Sequence, residues 1–259
     1  MGRRFTIYFI VLFCSGLLGC QKSEDTDANE LSKKILVEGY VFANEPVNIK
    51  VASVDPGGLS LSHAARDAQV SLIQGDLEIQ LVEHDTIPGH YIQQDPGVLL
   101  ADTGLVKLIV GYGGNLHSSE TVFPSQLTGL EISNSEIYIE PGIIEEVVTT
   151  LSWDPIPNAI GYCLFIRNLN ESATPISYYT FSSQSPFSRI NHSTTVDLKS
   201  NDFEYFGSYQ IYVTAIGPEF QLMYSGSNND NLMTAPSNIE DGWGVFTAFN
   251  GQSVTVTVQ

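Results

Sequence analysis

The segment Tyr209-Gln210-Ile211-Tyr212-Val213-Thr214-Ala215 alternates strictly along its length. A period of two places successive side chains on opposite faces, so this stretch predicts a β-strand. Residues 147–153 and 162–166 are likewise rich in β-branched or aromatic residues, and the first run ends at Asp154-Pro155. We therefore expect a β-sandwich in this half of the chain.

The same period governs the chain from residue 35 to Pro124, where turn signals such as Gly75-Asp76 separate alternating runs. The runs follow one another too closely for helical crossovers, which favours antiparallel pairing. No amphipathic helix of normal length is evident, and the best candidate, residues 59–68, is expected to be a loop. The predicted fold class is all-β, with two antiparallel β-sandwich modules at 35–124 and 125–259.

The composition excludes several classes of protein. The 259 residues are 42% hydrophobic and carry 29 Asp and Glu against 11 Lys and Arg, a formal charge of −18. Binding to nucleic acid or to anionic lipid through basic clusters is disfavoured, because both need concentrated Lys and Arg. The apolar fraction is also too high for a disordered acidic chain.

The first 19 residues have the layout of a signal peptide. Arg3 and Arg4 precede a short apolar run at 5–13, which is too short to span a bilayer. The run ends at Leu17-Leu18-Gly19-Cys20, which resembles the lipobox of bacterial lipoproteins. That resemblance implies that Cys20 becomes the new N-terminus and carries several acyl chains, among them palmitate. Several acyl chains on one residue give stable membrane anchoring.

The predicted tether, residues 20–34, opens with Gln21 and an acidic run at 24–27. Gln21 stands where many inner-membrane lipoproteins have Asp, which favours the outer membrane. The acidic run resembles the export signals of surface lipoproteins in Bacteroidota, so the expected location is the cell surface. Removal of Arg3 and Arg4 leaves 9 basic residues against 29 acidic, a formal charge of −20.

Cleavage also changes the count of cysteines. Cys14 leaves with the signal peptide and Cys20 is lipidated, so Cys163 keeps the free thiol of the mature chain. An intramolecular disulfide is then impossible, and stability must come from core burial. Cys163 lies in an alternating strand, which favours a buried structural role over a nucleophile.

The second module resembles a fibronectin type III domain over roughly 145–225. The resemblance rests on Trp153 near the end of one strand, on Ala159-x-x-Tyr162-x-Leu164-x-Ile166, and on the run from Tyr209 to Ala215. It implies that Trp153 packs between the sheets and that Tyr209 forms the tyrosine corner. The stretch at 168–200 is longer than is usual in that family.

The C-terminal segment 237–249 resembles the closing signature of a family of uncharacterised Bacteroidota outer-membrane lipoproteins. That family also begins with a lipobox and an acidic tether, followed by an immunoglobulin- or transthyretin-like module containing Gly-x-Tyr, here Gly89-His90-Tyr91. The resemblance implies a partner in TonB-dependent nutrient uptake at the outer membrane, and it brings no catalytic residue.

No catalytic, metal or cofactor motif is recognisable. None of the five His residues lies in His-Glu-x-x-His or in zinc-ligand spacing, and no Gly-x-Ser-x-Gly elbow occurs. Aromatic residues are the best candidates for contact with a glycan, a peptide ligand or a partner protein. These candidates are Tyr178, Tyr179, Tyr205 and Trp243, all of which could equally fill a core.

Three functions remain open on sequence alone. The first is a non-catalytic binding or accessory lipoprotein of the outer membrane, without a cofactor and without affinity for nucleic acid. The second is an enzyme acting on glycans or peptides through loop carboxylates that no motif reveals. The third is an adhesin or surface scaffold.

Overall fold

The computed structural model describes residues 34–54, 61–140, 145–170, 172, 174–176, 187–224 and 236–259. The predicted signal peptide, Cys20 and the tether as far as residue 33 lie outside these residues. The regular secondary structure of the described part is nearly all strand, as predicted. The described part also has a 3-10 helix at Ser200–Asp202 and one α-helix, α1 (Pro218–Tyr224). No helix in it is both long and apolar enough to cross a membrane. The strands are β1 (Ile35–Phe42), β2 (Asn48–Val54), β3 (Leu61–Ala64), β4 (Gln69–Gln74), β5 (Leu77–Glu83), β6 (His90–Gln93), β7 (Leu105–Tyr112), β8 (Asn115–Val122), β9 (Glu131–Ile132), β10 (Glu136–Ile137), β11 (Val147–Ser152), β12 (Tyr162–Asn168), β13 (Phe187–Asn191), β14 (Thr195–Lys199), β15 (Gly207–Ala215), β16 (Trp243–Phe249) and β17 (Gly251–Val258).

The first module is one nine-stranded sheet that encloses a single core. Its order is β16-β1-β2-β6-β5-β4-β7-β8, with β3 beside β2. Alternate side chains point inward, and on β1 these include Val37 and Val41. The predicted hairpin β4–β5 is confirmed, and it turns at Gly75, whose φ of 58° suits glycine.

The two ends of this sheet meet through β8 and β16. Thr121 Oγ1 accepts a hydrogen bond from the Ala248 N–H at 3.2 Å, and Ser119 Oγ donates to Asn238 O at 2.7 Å. Inside the sheet, Phe246 packs over Gly39, where a Cβ atom would lie 2.8 Å from the ring. Glycine at position 39 therefore makes room for the ring that β16 contributes to the core.

The second module is a sandwich of two sheets, with orders β10-β17-β15-β12-β13 and β14-β11-β9. Apart from the short edge strand β10, this is three strands packed on four, the arrangement of fibronectin type III and related immunoglobulin-like sandwiches. Trp153 lies in the core, with its ring centroid 5.2 Å from that of Tyr162. The packing role expected for Trp153 is confirmed.

The connection between β15 and β17 links the two modules. It holds α1 and β16, and β16 pairs in parallel with β1 over seven positions, from Leu36 with Trp243 to Phe42 with Phe249. The predicted boundaries placed 243–249 in a C-terminal extension of the second module. The pairing instead places this strand in the first sheet, where it covers the β1 edge that would otherwise be unpaired.

Three local expectations differ from the structure. Pairing is antiparallel except for β1 with β16 and β10 with β17, which are parallel. The predicted loop at 59–68 contains β3, which extends the sheet beside β2. Helix α1 was missed because its seven residues are too few to show a helical period, and Phe220 secures it to the junction between the modules.

Candidate binding surfaces

The residues predicted to contact a ligand do not form one site in the described chain. Tyr178 and Tyr179, like Cys20, lie outside the described residues. Tyr205 lies in the second module just before β15, and Trp243 opens β16 in the first sheet. The role of these four residues in binding remains a prediction.

Tyr209 forms a tyrosine corner with the backbone of Tyr205, and the fibronectin resemblance implied this role for Tyr209. Tyr209 Oη donates to Tyr205 O at 2.8 Å and accepts from the Tyr205 N–H at 2.9 Å. Burial of Tyr209 raises the pKa of its hydroxyl, which keeps the group protonated as a donor. The flanking backbone is paired as well, because the Ile176 N–H donates to Glu204 O at 2.9 Å and the Phe206 N–H donates to Thr174 O at 2.8 Å. Residues 174–176 are therefore held against the backbone at 204–206.

We expect Tyr209→Phe to lower the free energy of unfolding by about 1–3 kcal/mol, because it removes the hydroxyl that bonds to the N–H and the carbonyl of Tyr205. Urea unfolding followed by circular dichroism measures the change. Tyr138→Phe, at a tyrosine with 69% of its surface exposed, is the matched control and should change stability little. Equal losses in the two variants would contradict a structural role for the corner.

Trp243 lies at the opposite end of β16 from the second module. It pairs with Leu36 at the start of β1, and Lys34 Nζ is 4.9 Å from the centroid of its ring. A cation over the face of a Trp ring is an attractive contact. The partly exposed ring of Trp243 thus packs against the residue that joins the predicted tether to β1.

An aromatic junction holds the two modules together. Phe42 and Phe249 of the first sheet meet Phe165 and Tyr212 of the second module, with ring centroids 5.1–5.5 Å apart. Phe249 is fully buried, and Phe220 of α1 lies 5.2 Å from it. The junction also includes Tyr40, Cys163, Ile190 and Ile216. Such a buried cluster opposes hinge motion between modules, because separating them would expose large aromatic surfaces.

Asn250 reinforces the junction where the chain passes from β16 to β17. Its Nδ2 donates to Asp102 O at 2.8 Å and to Pro124 O at 3.2 Å, and its N–H donates to Thr214 Oγ1 at 3.1 Å. Asn250 therefore joins the two modules, because its side chain bonds to the first and its backbone N–H bonds to the second. The chain thus passes from the first module to the second twice, after Pro124 and at Asn250.

The outer face of the five-stranded sheet continues beyond the junction as a polar surface. Its side chains come from neighbouring strands in register: Arg167 of β12 opposite Gln210 of β15, and Gln210 opposite Thr255 of β17. The next row places Ser208 opposite Thr257, and Thr257 opposite Glu136 of β10. We call these six residues, with Ser253, Leu169 and Tyr138, the polar sheet face. The polar sheet face was not predicted from the sequence, because the register that decides which residues on different strands are neighbours was not known.

The described residues include no group of three or more His, Cys, Asp or Glu side chains that could hold a metal ion. Cys163 is fully buried in the aromatic junction, and this desolvation raises the pKa of its thiol to about 12. A thiolate is the reactive form of cysteine, so a thiol in this setting is a poor nucleophile. The predicted buried position of Cys163 is confirmed.

We expect Cys163 to resist alkylation in the native protein and to react fully once the chain is unfolded in urea. Iodoacetamide treatment, followed by mass spectrometry of the peptide that contains Cys163, measures the modified fraction at pH 8. The same peptide from urea-unfolded protein gives the value for complete reaction. Rapid modification of the native protein would show that this thiol is accessible and ionised.

Two solved structures are distantly similar to this chain. The crystal structure of the FN1–FN3 domains of chicken CNTN1 aligns with 88% of this chain at 11% identity and a TM-score of 0.27. This chain covers 65% of the CNTN1 chain, just under two thirds. A cytokine receptor complex aligns with 70% of this chain, which covers 89% of that chain, at 11% identity and a TM-score of 0.26. These values are too low to bear on function, and the fold assignment rests on the strand pairing above. No family model matches the chain, and no curated protein matches it.

Proposed function

We propose that this protein is a lipid-anchored lipoprotein of the outer membrane, displayed on the cell surface, where it acts as a non-catalytic binding module. Within this proposal its partner is an outer-membrane transporter of a TonB-dependent nutrient-uptake system. The lipobox at Cys20 and the family resemblance of 237–249 motivate the location and the partner. The observation that carries the binding role is the coupling of both modules into one unit.

That coupling suits a module that presents a surface at a fixed place. β1 begins directly after the predicted tether and lies between β16 and β2, so hydrogen bonds hold it on both sides. From β1 the aromatic junction continues into the second module. The segment between Cys20 and Lys34 is about 14 residues and reaches at most roughly 50 Å when extended. The rigid unit would therefore stay close to the membrane while its loops and sheet faces remain available.

Lipid attachment is tested with radiolabelled palmitate and fractionation of the producing bacterium. We expect the wild-type chain and Cys14→Ala to incorporate label and to fractionate with the outer membrane, because Cys14 belongs to the part that is removed. Cys20→Ala should incorporate none. Label in Cys20→Ala, or wild-type protein in the soluble fraction, would refute the anchor.

The partner is tested by crosslinking intact cells and purifying the tagged protein from detergent-solubilised outer membrane. We expect an outer-membrane transporter to be crosslinked to the protein, and proteinase K added to whole cells to digest it. A solitary, protease-protected monomer would refute both the partner and the surface location. A wild-type protein that hydrolyses glycans or peptides would instead favour the enzymatic function.

A further inference from the structure

We propose that the polar sheet face binds an uncharged oligosaccharide. This inference deepens the proposed function, since it names the ligand class of the binding module and the surface that receives it. The chemistry of the face, the fixed position of its central side chain and its charge point to the same class of ligand.

The central side chain, Gln210, is held from both sides. Arg167 Nη2 donates to Gln210 Oε1 at 2.9 Å, and Gln210 Nε2 donates to Ser253 Oγ at 3.4 Å. A guanidinium has five N–H donors and a primary amide has two, so these two bonds leave further N–H donors on both groups. Side chains already fixed in place lose little entropy when a ligand binds.

The surrounding groups form a grid of hydroxyls. Ser208, Thr255 and Thr257 lie on the same face of β15 and β17, and neighbouring strands are about 4.8 Å apart. Hydroxyls both donate and accept hydrogen bonds, as sugar hydroxyls do. A flat array of such groups can therefore exchange bonds with several hydroxyls of one saccharide.

Apolar surface flanks this grid on two sides. Tyr138 follows β10 with 69% of its surface exposed, and Leu169 follows β12 with 47% exposed. Their parity places them on this face, because Ile137 and Ile166 point into the core of the sandwich. An exposed aromatic ring offers the apolar contact that a sugar ring can stack on while its hydroxyls bond elsewhere.

The charge of the face favours a neutral ligand. In a chain with a net charge of −18, this face carries one basic residue, Arg167, and one acidic residue, Glu136, on strands at its two sides. An anionic polymer would require several cations and a basic peptide several carboxylates, whereas this face supplies one of each. The face also adjoins the junction between the modules, a type of position at which ligands often bind.

The test is affinity electrophoresis of the full-length protein in gels that contain amylopectin, xyloglucan or galactomannan, with polygalacturonate as the anionic comparison. We expect at least one neutral polysaccharide to retard the wild type. Gln210→Ala and Tyr138→Ala should each weaken that retardation at least tenfold. Gln80→Ala on the outer face of β5 and Leu116→Ala on β8 are matched exposed controls and should leave it unchanged. Unchanged thermal melting of all four variants keeps the comparison free of folding effects, because each site is solvent-exposed or half-buried.

The proposal is overturned if no neutral polysaccharide retards the wild type, or if polygalacturonate alone does so. It is also overturned if Gln210→Ala and Tyr138→Ala lose no more retardation than the control variants. A further outcome is that the wild type binds no glycan and Gln210→Ala loses the crosslinked transporter. That outcome would identify the polar sheet face as a protein interface and overturn the oligosaccharide proposal. Affinity electrophoresis and palmitate labelling at Cys20 are separate measurements, so failure of the oligosaccharide proposal would not refute the lipid anchor.

Discussion

A chain that stops after Tyr224 is expected to lose the cooperative unfolding transition of both modules. By the boundaries predicted from the sequence, the deletion would shorten only the second module, 125–259. The deletion removes β16, which pairs with β1 at seven positions, and β17, which pairs with β15 at eight. It also removes Phe246 from the first core and Val256 and Val258 from the second. Urea titration followed by circular dichroism measures the loss, because the deletion also removes Trp243, the tryptophan of the first sheet.

A chain that stops after Phe249 is the matched control, because it keeps β16 and removes β17. We expect hydrogen exchange to remain slow in β1 and β2 and to become fast in β12 and β15. A chain ending at Tyr224 that keeps slow exchange in β1 would show that the first sheet does not depend on β16. That result would contradict the role assigned to the connection between β15 and β17.

Phe249→Ala should be the most destabilising single substitution in the aromatic junction, by about 3–5 kcal/mol, because it leaves a cavity at a fully buried site. The ring contacts Phe42 of the first sheet, Phe165 of the second module and Phe220 of α1. Its removal therefore weakens the contact between modules and the packing of the helix together. Chemical unfolding at equilibrium measures the difference.

Tyr138→Ala supplies the control for Phe249→Ala, since an aromatic ring is removed from an exposed site and stability should change by about 0.5 kcal/mol or less. We also expect Phe249→Ala to separate the transitions of the two modules, so that the unfolding curve shows two steps. A single transition with an unchanged midpoint would mean that the junction contributes nothing to the coupling.

The all-β class, most strands and the local hairpins follow from period-two patterns and turn residues, which act over a few positions in sequence. β4 with β5 and β7 with β8 are of this kind, since a tight turn fixes each partner. Trp153 and Tyr209 were also predictable, through resemblance to a fold whose packing positions are well defined. The helix α1 and strand β3 were not, because short elements depend on neighbours that local sequence does not contain.

The candidate binding surfaces were less accessible to sequence reasoning. Aromatic content alone indicated Tyr205 and Trp243, which the structure places in different modules. The polar sheet face needs the register of β12, β15, β17 and β10, and a shift of one residue would have turned Arg167 and Gln210 inward. The junction likewise unites β1 with strands more than 100 residues later.

By itself the sequence determined the all-β character, the excess of acid and the buried nature of Cys163, because composition and period are local properties. The lipid anchor at Cys20 remains a prediction from the sequence. Only the tertiary structure decided that residues 243–249 complete the first sheet and that Phe249 joins both modules. The physical reason is that an unpaired strand edge and an exposed aromatic ring can be satisfied by any complementary segment of the chain. Which segment does so is settled by the packing of the whole molecule.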